Sequence, residues 1–310
     1  MKVLTLTMNP VLDRNTSVKI VMPDKKVRCS KPELKPGGGG INVSRAIQKL
    51  GYESAACVLA GGTNRGKMED LLSKLNIKTH IVDSGTDSRE NLLVCDETTN
   101  QMYRFIMPGE DVITEEEKIL QEIKDIAINY NYVVASGSLL PGISTDFYAN
   151  LAKFFKENDI KFILDASGAA LKNAIQEGVY LIKPNLRELA NLVGKDKLTG
   201  IDQEIAAQEI LEKQQANIIV LSLGAKGAML AQHGHVIEYV SPPTMPIVSS
   251  VGAGDSMVGG IVAGFIKGFW PTEAIRYGVA AGTAAAMQPG SELCTKEDTD
   301  RIWKWLKPNE

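Results

Sequence analysis

The sequence predicts an α/β protein with a mainly parallel sheet and a second, smaller sheet that is inserted at two places. Short apolar runs alternate with helical patterns over most of the 310 residues, which is typical of βαβ units and a parallel sheet. Residues 14–35 and 88–107 instead alternate apolar and polar side chains. That pattern is typical of an antiparallel sheet with one exposed face.

The elements of the large sheet follow from these apolar runs. In chain order, the expected strands occupy residues 2–7, 54–59, 132–135, 162–165, 180–183 and 218–222. The expected helices between them occupy residues 40–50, 67–75, 115–130, 144–158, 185–192, 202–214 and 256–267. Polar residues such as Thr145 and Asp146 favour helix starts, as does the acidic run at 115–117.

The small sheet is expected to have two halves. Residues 16–22 and 27–34 form the first half, and residues 92–96 and 101–107 form the second, with a turn at 97–100. We interpret it as a lid of residues 14–35 and 88–107 on an α/β body of residues 1–13, 36–87 and 108–310. The remaining apolar face of this lid needs a partner, such as the substrate and a second copy of the chain.

Composition argues against several classes of protein. The hydrophobic fraction of 44% and the charged fraction of 23% argue against disorder, and a net charge of −3 provides no basic surface for nucleic acid. No apolar run reaches the roughly 18 residues of a membrane span, and the first residues lack a signal peptide's apolar stretch. The four cysteines have no CxxC spacing, so neither zinc nor a disulfide framework is indicated. We expect a cytoplasmic protein without nucleic-acid or membrane partners.

The segment VGAGDS at 251–256 precedes an apolar helical pattern rich in small residues. Its glycines let backbone N–H groups converge at a helix N-terminus, which favours an anion. Asp255 can there accept a proton from a substrate hydroxyl while the amides stabilise a transferring phosphoryl group. The alternative is a helix start that Asp255 merely caps, and the segment alone does not decide between the two.

The segment KPGGGGINV at 35–43 is the second glycine-rich signal. Four glycines before a helix let the backbone approach a polar ligand closely, and Asn42 can hydrogen-bond sugar hydroxyls. The alternative is a flexible connector, which the helical pattern that follows disfavours. Neither glycine segment matches the phosphate-binding pattern GxxxxGK[ST] or the dinucleotide pattern GxGxxG.

Further polar segments end or follow expected strands, where α/β proteins bind ligands. They include NPVLD at 9–13, SGSLLPG at 136–142 and SLGAKG at 222–227. Asn185 and Glu188 lie three residues apart at a helix start and can hold a hydrated Mg²⁺. A capping box is the alternative, and it is favoured when the pair is taken alone.

Basic residues of the expected lid favour a phosphorylated substrate. They are Lys26 and Arg28 in one half, and Arg89 and Arg104 in the other. The alternative is a solvated charged face, which is the commoner role of scattered lysines and arginines.

Taken in order, these segments resemble the PfkB branch of the ribokinase-like carbohydrate kinases over nearly the whole chain. The two family signatures correspond to residues 37–42 with their helix and to residues 251–256. NPxxD, GSLxPG, KPNxxEL, SLGxxGA and VGAGDSMVGG resemble the hexose-phosphate kinases of that family. PGGGGINV, KVRC, YRFIMPG and GVAAG resemble its minor bacterial 6-phosphofructokinase type more than 1-phosphofructokinase or tagatose-6-phosphate kinase.

The resemblance implies a three-layer α/β/α fold with a β-sheet lid, and ATP-dependent phosphorylation of fructose 6-phosphate at its C1 hydroxyl. Asp255 would take the hydroxyl proton, and the amides of Gly252, Ala253 and Gly254 would form the anion hole. ATP and Mg²⁺ are implied as cofactors, and a homodimer through the lid sheets as the assembly. Alternatives are a 1-phosphofructokinase or tagatose-6-phosphate kinase, a non-catalytic sugar-phosphate-binding regulator, and a ribokinase or adenosine kinase with an unphosphorylated substrate.

The resemblance also implies the site residues by role. The residues that would hold the sugar hydroxyls are Asp13, Gly38, Gly39 and Asn42. The residues that would surround the sugar phosphate are Lys26, Arg28, Arg89, Arg104 and Ser138, with Arg28 reaching across a dimer. The residues that would bind the nucleotide are Lys183, Asn185, Ser222, Gly224, Gly227, Gly252 and Gly254. Asn185 and Glu188 would order Mg²⁺, largely through water.

A potassium site is implied as well, formed by Ser249, Val251, Gln288 and Gly290. The sequence departs from ribokinase here, because Ser249-Ser250-Val251 stands where ribokinase has DTT. In ribokinase that Asp and the carbonyls after it help to bind a monovalent cation.

Overall fold

The computed structural model describes residues 1–290 and 292–307. In this part of the chain the strands are β1 (Val3–Thr7), β2 (Val11–Val18), β3 (Glu33–Gly37), β4 (Ala55–Gly61), β5 (Lys78–Asp87), β6 (Arg89–Asp96), β7 (Gln101–Ile106), β8 (Tyr132–Ser136), β9 (Lys161–Asp165), β10 (Val179–Ile182), β11 (Ala216–Ser222), β12 (Ala228–Gln232) and β13 (Glu238–Val240). The helices are α1 (Gly39–Lys49), α2 (Arg65–Ser73), α3 (Glu116–Ala127), α4 (Phe147–Glu157), α5 (Gly168–Ala174), α6 (Leu186–Leu192), α7 (Asp202–Glu212), α8 (Ala253–Ile266), α9 (Pro271–Ala286) and α10 (Lys296–Leu306).

The central sheet has the strand order β13-β12-β11-β10-β9-β8-β1-β4-β5. The pairs from β11 through to β5 are parallel, and β12 and β13 extend one edge in antiparallel pairing. The chain order reverses at β1, which lies between β4 and β8. Open α/β sheets bind ligands at the carboxyl ends of the strands beside such a reversal.

Helices cover both faces of the central sheet. On one face, α3 to α7 pack into a core that includes Ile123, Phe147 and Leu189. On the other face, α1, α8 and α9 contribute Val43 and Val258 among others, and α10 packs against α9. The predicted α/β class, with a mainly parallel sheet and a separate small sheet, is confirmed.

Glycines of α8 allow its neighbours to pack closely. A Cβ on Gly259 would lie 2.6 Å from the Cβ of Ala46 on α1, and one on Gly260 would lie 2.7 Å from the Cβ of Ala281 on α9. Larger side chains would push these helices apart, because the interior is close-packed. This contact sets the first turn of α8 against the first turn of α1.

The small sheet has the order β3-β2-β6-β7 and differs from the prediction in two ways. It is mixed rather than antiparallel, because β2 and β6 are parallel along eight residue pairs. The expected strands at 16–22 and 27–34 are wrong in their bounds, since residues 19–32 contain no strand. Pro23 and Pro32 lack the N–H that a strand donates, and Asp24 has a φ of 57°.

Strands β5, β12 and β13 and helices α5 and α9 were not among the expected elements. β5 is an edge strand with a partly exposed, polar sequence, so it lacks the continuous apolar run that marks the other parallel strands. Among the described residues, no helix combines the length and apolar character needed to cross a membrane.

Candidate active site

Several of the predicted site residues lie at the carboxyl edge of the central sheet, together with Asp165, which was not predicted. Ser136 ends β8, Asp165 ends β9, Lys183 follows β10 and Ser222 ends β11. A cavity of about 310 Å³ opens here, lined by Gly39, Ser136, Gly137, Ser138, Asp165, Ala166, Ser167, Glu188 and Asp255. The cavity therefore lies beside β1, where the strand order predicts a ligand.

A larger cavity of about 720 Å³ lies at the opposite edge, where β9, β10 and β11 begin. The described residues that line it include none of the predicted site residues. Its Lys161 already donates a hydrogen bond of 3.1 Å to the hydroxyl of Tyr132. The smaller cavity is therefore the candidate active site.

Asp255 lies in the first turn of α8 and accepts two hydrogen bonds. Asn42 Nδ2 donates to its Oδ2 at 2.9 Å, and Ser136 Oγ donates to its Oδ1 at 3.4 Å. Burial and the neighbouring Asp165 carboxylate raise the pKa of Asp255 to about 6, against the opposing effects of Asn42, Lys183 and Ser136. The carboxylate is thus ionised at neutral pH and has a higher proton affinity than an exposed aspartate, which suits a general base.

Lys183 is buried next to this carboxylate. Its Nζ lies 3.1 Å from Asp165 Oδ1, and a Cβ built on Gly254 would lie 3.8 Å from the same Nζ. Burial alone would lower the pKa of Lys183, but the ion pair with Asp165 and the charges of Glu188 and Asp255 raise it. A fixed positive charge therefore lies beside the predicted anion hole.

The predicted anion hole is a helix start. Gly252 precedes α8 in the left-handed region with a φ of 77°, and a Cβ on it would lie 2.7 Å from Leu293 Cδ2. The first N–H groups of a helix have no partner within the helix. That of Ala253 donates a long hydrogen bond of 3.4 Å to the Ser250 carbonyl, and that of Gly254 is directed out of the helix N-terminus. The arrangement can stabilise negative charge that develops next to Asp255.

The acidic residue of the predicted sugar site lies on the small sheet. Asp13 on β2 accepts a 3.0 Å hydrogen bond from Asn91 Nδ2. Burial raises the pKa of Asp13, while Asn91 and the charges of Arg89, Arg104 and Arg45 lower it. Three arginines therefore lie within electrostatic range of this carboxylate.

Asn9 connects Arg89 to Ser138. Arg89 Nε donates to Asn9 Oδ1 at 3.1 Å, and Asn9 Nδ2 donates to Ser138 Oγ at 3.1 Å. Lys26 and Arg28 instead lie on the exposed segment 19–32, and neither has an ion-pair partner among the described residues. Their predicted contact with the sugar phosphate stays a prediction.

The glycines of the segment 37–39 are held tightly. A Cβ on Gly38, whose φ is 127°, would lie 2.5 Å from Thr7 Cγ2, and a Cβ on Gly39 would overlap Ser136 Oγ. The backbone of the α1 N-terminus therefore lies directly against the ends of β1 and β8. This close approach explains why glycine is required before α1.

Asn185 and Glu188 form the capping box that the sequence offered as an alternative. Glu188 N donates to Asn185 Oδ1, and Asn185 N donates to Glu188 Oε2, both at 2.9 Å. Glu188 also lines the cavity together with Asp165. In the described part of the chain no cluster of three or more metal-ligating side chains occurs. Two carboxylates nevertheless suit Mg²⁺, which keeps most of its waters and binds phosphates.

The predicted nucleotide-binding turn has a structural role of its own. Ser222 N donates to the carbonyl of Pro184 at 2.9 Å, which ties the end of β11 to the segment before α6. Gly224 and Gly227 have φ values of 61° and 89°, and a Cβ on Gly227 would overlap the carbonyl oxygen of Val240. Nucleotide contacts at these glycines stay a prediction.

The predicted potassium residues lie on two loops that the structure brings together. Ser249 Oγ donates to the carbonyl of Gly290 at 2.7 Å and accepts from Val251 N at 3.2 Å. The side chain of Gln288 is directed away, donating to Asp298 at 3.3 Å. This hydrogen bond uses the NH₂ group of the Gln288 amide and leaves the backbone carbonyl of Gln288 able to bind a cation.

Two site residues were missed by the sequence analysis, Asp165 and Arg45. Asp165 ends a predicted strand at the same edge as the others, so the strand-end rule that selected the segments 136–142 and 222–227 applies to it equally. Arg45 donates to Asn42 Oδ1 at 3.2 Å. It lies in the second turn of α1, and no sequence motif distinguishes it from a surface arginine.

Known proteins are similar to this chain over almost its whole length. The ATP-dependent 6-phosphofructokinase isozyme 2 of Mycobacterium tuberculosis is 39% identical over 304 residues, covering 98% of this chain and 89% of that protein. The Escherichia coli protein of the same name is 38% identical over 310 residues, covering 98% and 99%. The 1-phosphofructokinase of Bacillus subtilis is 32% identical over 305 residues, covering 98% of each.

Solved structures and a family model agree with this. Phosphofructokinase-2 from Escherichia coli, in complex with potassium and in a tetrameric inhibited form, has TM-scores of 0.92 and 0.90 at 36% identity, covering 98% of this chain and 99% of that one. Ribokinase from Arabidopsis thaliana, 17% identical with a TM-score of 0.74 and 98% of both chains covered, shares the fold, so the predicted ribokinase-like architecture is confirmed. The model of the pfkB family carbohydrate kinases matches residues 6–298. The chain therefore belongs to the pfkB family of carbohydrate kinases.

Proposed function

We propose that the protein transfers the γ-phosphoryl group of ATP to the C1 hydroxyl of fructose 6-phosphate, forming fructose 1,6-bisphosphate. The observation that carries this proposal is the position of Asp255. Its carboxylate lies at a helix N-terminus, next to the buried cation Lys183, in the cavity that Asp165 and Glu188 also line. The two relatives at 38–39% identity are named for this activity.

The arrangement supports direct transfer between the two substrates. Asp255 accepts the C1 hydroxyl proton as the sugar oxygen bonds to the γ-phosphorus, and the bond from phosphorus to the leaving ADP oxygen breaks. The amides of Gly252, Ala253 and Gly254, together with Lys183, stabilise the charge on the transferring group. The proton then leaves Asp255 for solvent.

Mg²⁺ fits this site through Asp165 and the residue pair Asn185 and Glu188. When bound, it would neutralise charge on the ATP phosphates. The side chain of Asn185 already accepts a hydrogen bond from Glu188 N in the capping box, so its role would be to hold Glu188 in place. Ser222, Gly224 and Gly227 would border the nucleotide. We also propose a K⁺ site at the loop carbonyls of residues 249–251 and 288–290.

The binding site for the phosphate group of the sugar is assigned from the positions of the basic side chains. Arg89 and Arg104 lie near Asp13, whose carboxylate together with Gly38, Gly39 and Asn42 would hold the sugar hydroxyls. Arginine suits phosphate because its guanidinium donates several hydrogen bonds in one plane. Ser138, tied to Arg89 through Asn9, would add a hydroxyl at the phosphate.

A homodimer through the small sheets is proposed from the apolar side chains that the small sheet and segment 19–32 leave exposed. Phe105 and Ile106 on the edge strand β7 are 49% and 54% exposed, and Met107, Ile20 and Met22 extend the same apolar exposure. Exposed apolar surface of this kind favours a partner. In a dimer, Lys26 and Arg28 on segment 19–32 would lie within reach of the second sugar site. The cytoplasmic location also stays a prediction.

The experiment is one coupled ADP-release assay with MgATP and four acceptors: fructose 6-phosphate, fructose 1-phosphate, tagatose 6-phosphate and fructose. We expect kcat/KM to be highest for fructose 6-phosphate by orders of magnitude. A preference for fructose 1-phosphate or tagatose 6-phosphate would reassign the sugar but keep the reaction. Calorimetric binding of a sugar phosphate without ADP release would instead indicate the non-catalytic regulator.

The variant Arg89→Ala tests the phosphate assignment in the same assay. We expect KM for fructose 6-phosphate to rise at least tenfold, because a charge-assisted contact to phosphate is removed. The activity with fructose, which has no phosphate, serves as the internal control. An unchanged KM for fructose 6-phosphate would remove Arg89 from the phosphate site.

A further inference from the structure

The side chain of Asn42 lies between a cation and the carboxylate of Asp255. Arg45 Nη1 donates to Asn42 Oδ1 at 3.2 Å, and Asn42 Nδ2 donates to Asp255 Oδ2 at 2.9 Å. A guanidinium can only donate, and an ionised carboxylate can only accept. Each neighbour therefore selects the same orientation of the Asn42 amide independently.

The orientation of this amide matters to Asp255. If the amide turned by 180°, its oxygen would face the carboxylate oxygen, and two acceptors would meet without a proton between them. The other hydrogen bond of Asp255, from Ser136 Oγ, is longer at 3.4 Å, and the same hydroxyl lies 3.3 Å from Asp165. Asn42 is thus the closer of the two donors that orient the carboxylate.

Arg45 is placed to hold the amide in this orientation. It lies one turn after Asn42 on the same helix, α1. Burial lowers the pKa of Arg45, and the carboxylates of Glu292, Asp13 and Asp255 raise it, while a guanidinium in a protein stays charged. Its donor character is therefore permanent at any pH at which the protein is folded.

Glu292 is itself held by two lysines. Lys35 on β3 lies 3.5 Å from Glu292 Oε1, and Lys49 at the end of α1 lies 3.2 Å from Glu292 Oε2. These contacts join the small sheet, α1 and the loop before α10 around Arg45. The cation thus lies in a network of charges rather than on a free surface.

We propose that Arg45 is a positioning residue for phosphoryl transfer, which fixes the Asn42 amide so that its N–H group orients the Asp255 carboxylate toward the substrate hydroxyl. This inference rests on the proposed function, because it takes Asp255 as the base. Arg45 acts through Asn42, so its contribution disappears when the Asn42 amide is removed.

The test is a double-mutant cycle on kcat with Arg45→Met, Asn42→Ala and the double variant, measured at pH 8.5 with saturating MgATP and fructose 6-phosphate. This pH lies well above the pKa of about 6 of Asp255 in the parent protein, which limits the contribution of protonation to the readout. Arg45→Met removes the hydrogen bond to Asn42, which in turn donates to the charged Asp255 carboxylate. Loss of this hydrogen bond predicts a fall in kcat of about tenfold or more. In the Asn42→Ala background, the same change is expected to lower kcat by less than about twofold.

Two controls separate positioning from stability. Arg45→Lys keeps a donor at the amide oxygen and is expected to restore kcat to within about threefold of the parent. Lys49→Met removes another cation from Glu292, one turn further along α1, without touching Asn42, and is expected to leave kcat unchanged. Thermal unfolding of each variant shows whether it folds, and Arg45→Leu, which also lacks a donor, replaces Arg45→Met in the cycle if the latter does not fold.

Three results would overturn the proposal. An equal loss of kcat in both backgrounds would show that Arg45 does not act through Asn42. An increase in KM for the sugar phosphate with unchanged kcat would make Arg45 a substrate contact. A loss of kcat that Arg45→Lys does not restore would indicate a structural role. Failure of the proposed function is seen separately, as turnover that survives Asp255→Asn.

Discussion

Replacing Asp255 with asparagine is expected to abolish turnover and, at neutral pH, to stabilise the folded protein. Folding raises the pKa of this carboxyl from 3.8 to about 6. Between these values the folded state binds more protons than the unfolded chain, so stability falls as pH rises. Above pH 6 the ionised carboxylate then destabilises the fold by up to about 3 kcal/mol, at about 1.4 kcal/mol for each pH unit.

The gain in stability of the Asp255→Asn variant is expected to be smaller than this upper limit. The side chain keeps some solvent contact in the cavity, so about 1–3 kcal/mol is expected at pH 7.5. The new amide has the shape of the carboxyl group: its oxygen can accept from Asn42, and its NH₂ can donate to the hydroxyl of Ser136. Because an amide cannot take a proton, kcat is expected to fall by about 10²- to 10⁴-fold.

Urea unfolding at pH 7.5 and pH 5.0 measures the stability difference, and the coupled assay measures kcat. At pH 5.0 the parent carboxyl is mostly protonated, so the gain should shrink to roughly half of its value at pH 7.5. The exposed Asp125 on α3 provides the control, since Asp125→Asn is expected to change stability by less than about 0.5 kcal/mol. A variant that is less stable than the parent at both pH values, or that keeps its kcat, would refute the reasoning.

Three further predictions concern neighbouring groups. Asp165→Asn removes a charge that raises the pKa of Asp255, so the acidic limb of the kcat/KM profile should move to lower pH; an unmoved limb would contradict this. Glu188→Gln keeps the capping box but removes a carboxylate from the cavity, so half-maximal activity should need about tenfold more Mg²⁺ at an unchanged Tm. Phe105→Asp places a charge among the exposed apolar side chains of the small sheet, and light scattering should then report a monomer; a persisting dimer would place the interface elsewhere.

The sequence alone predicted the elements that are buried on both faces. Parallel strands covered by helices have continuous apolar runs, and β1, β4, β8, β9, β10 and β11 were found from such runs. The half-exposed elements were harder to predict, because one of their faces contacts solvent and their sequences therefore lack a continuous apolar run. β5 was missed for this reason, and β2 and β3 were displaced from their predicted bounds.

The residues of the candidate site likewise include some that the sequence predicted and some that it did not. Glycine segments and strand-end polar residues pointed to Asp255, Asn42 and the capping pair from local sequence, because a helix N-terminus or a turn makes local demands on residue type. The family resemblance then supplied roles for them. Asp165 could have been found by the same strand-end rule.

Only the tertiary structure decided which of these groups act on one another. Asn42 and Asp255 are 213 residues apart in the chain, and they meet because α8 packs against α1 at Gly259. The raised pKa of Asp255 follows from that packing, whereas the contact of Arg45 with Asn42 lies within α1 and reaches Asp255 only because the two helices meet. Residue type and local spacing are written in the sequence, whereas burial and long-range electrostatics exist only once the helices have packed.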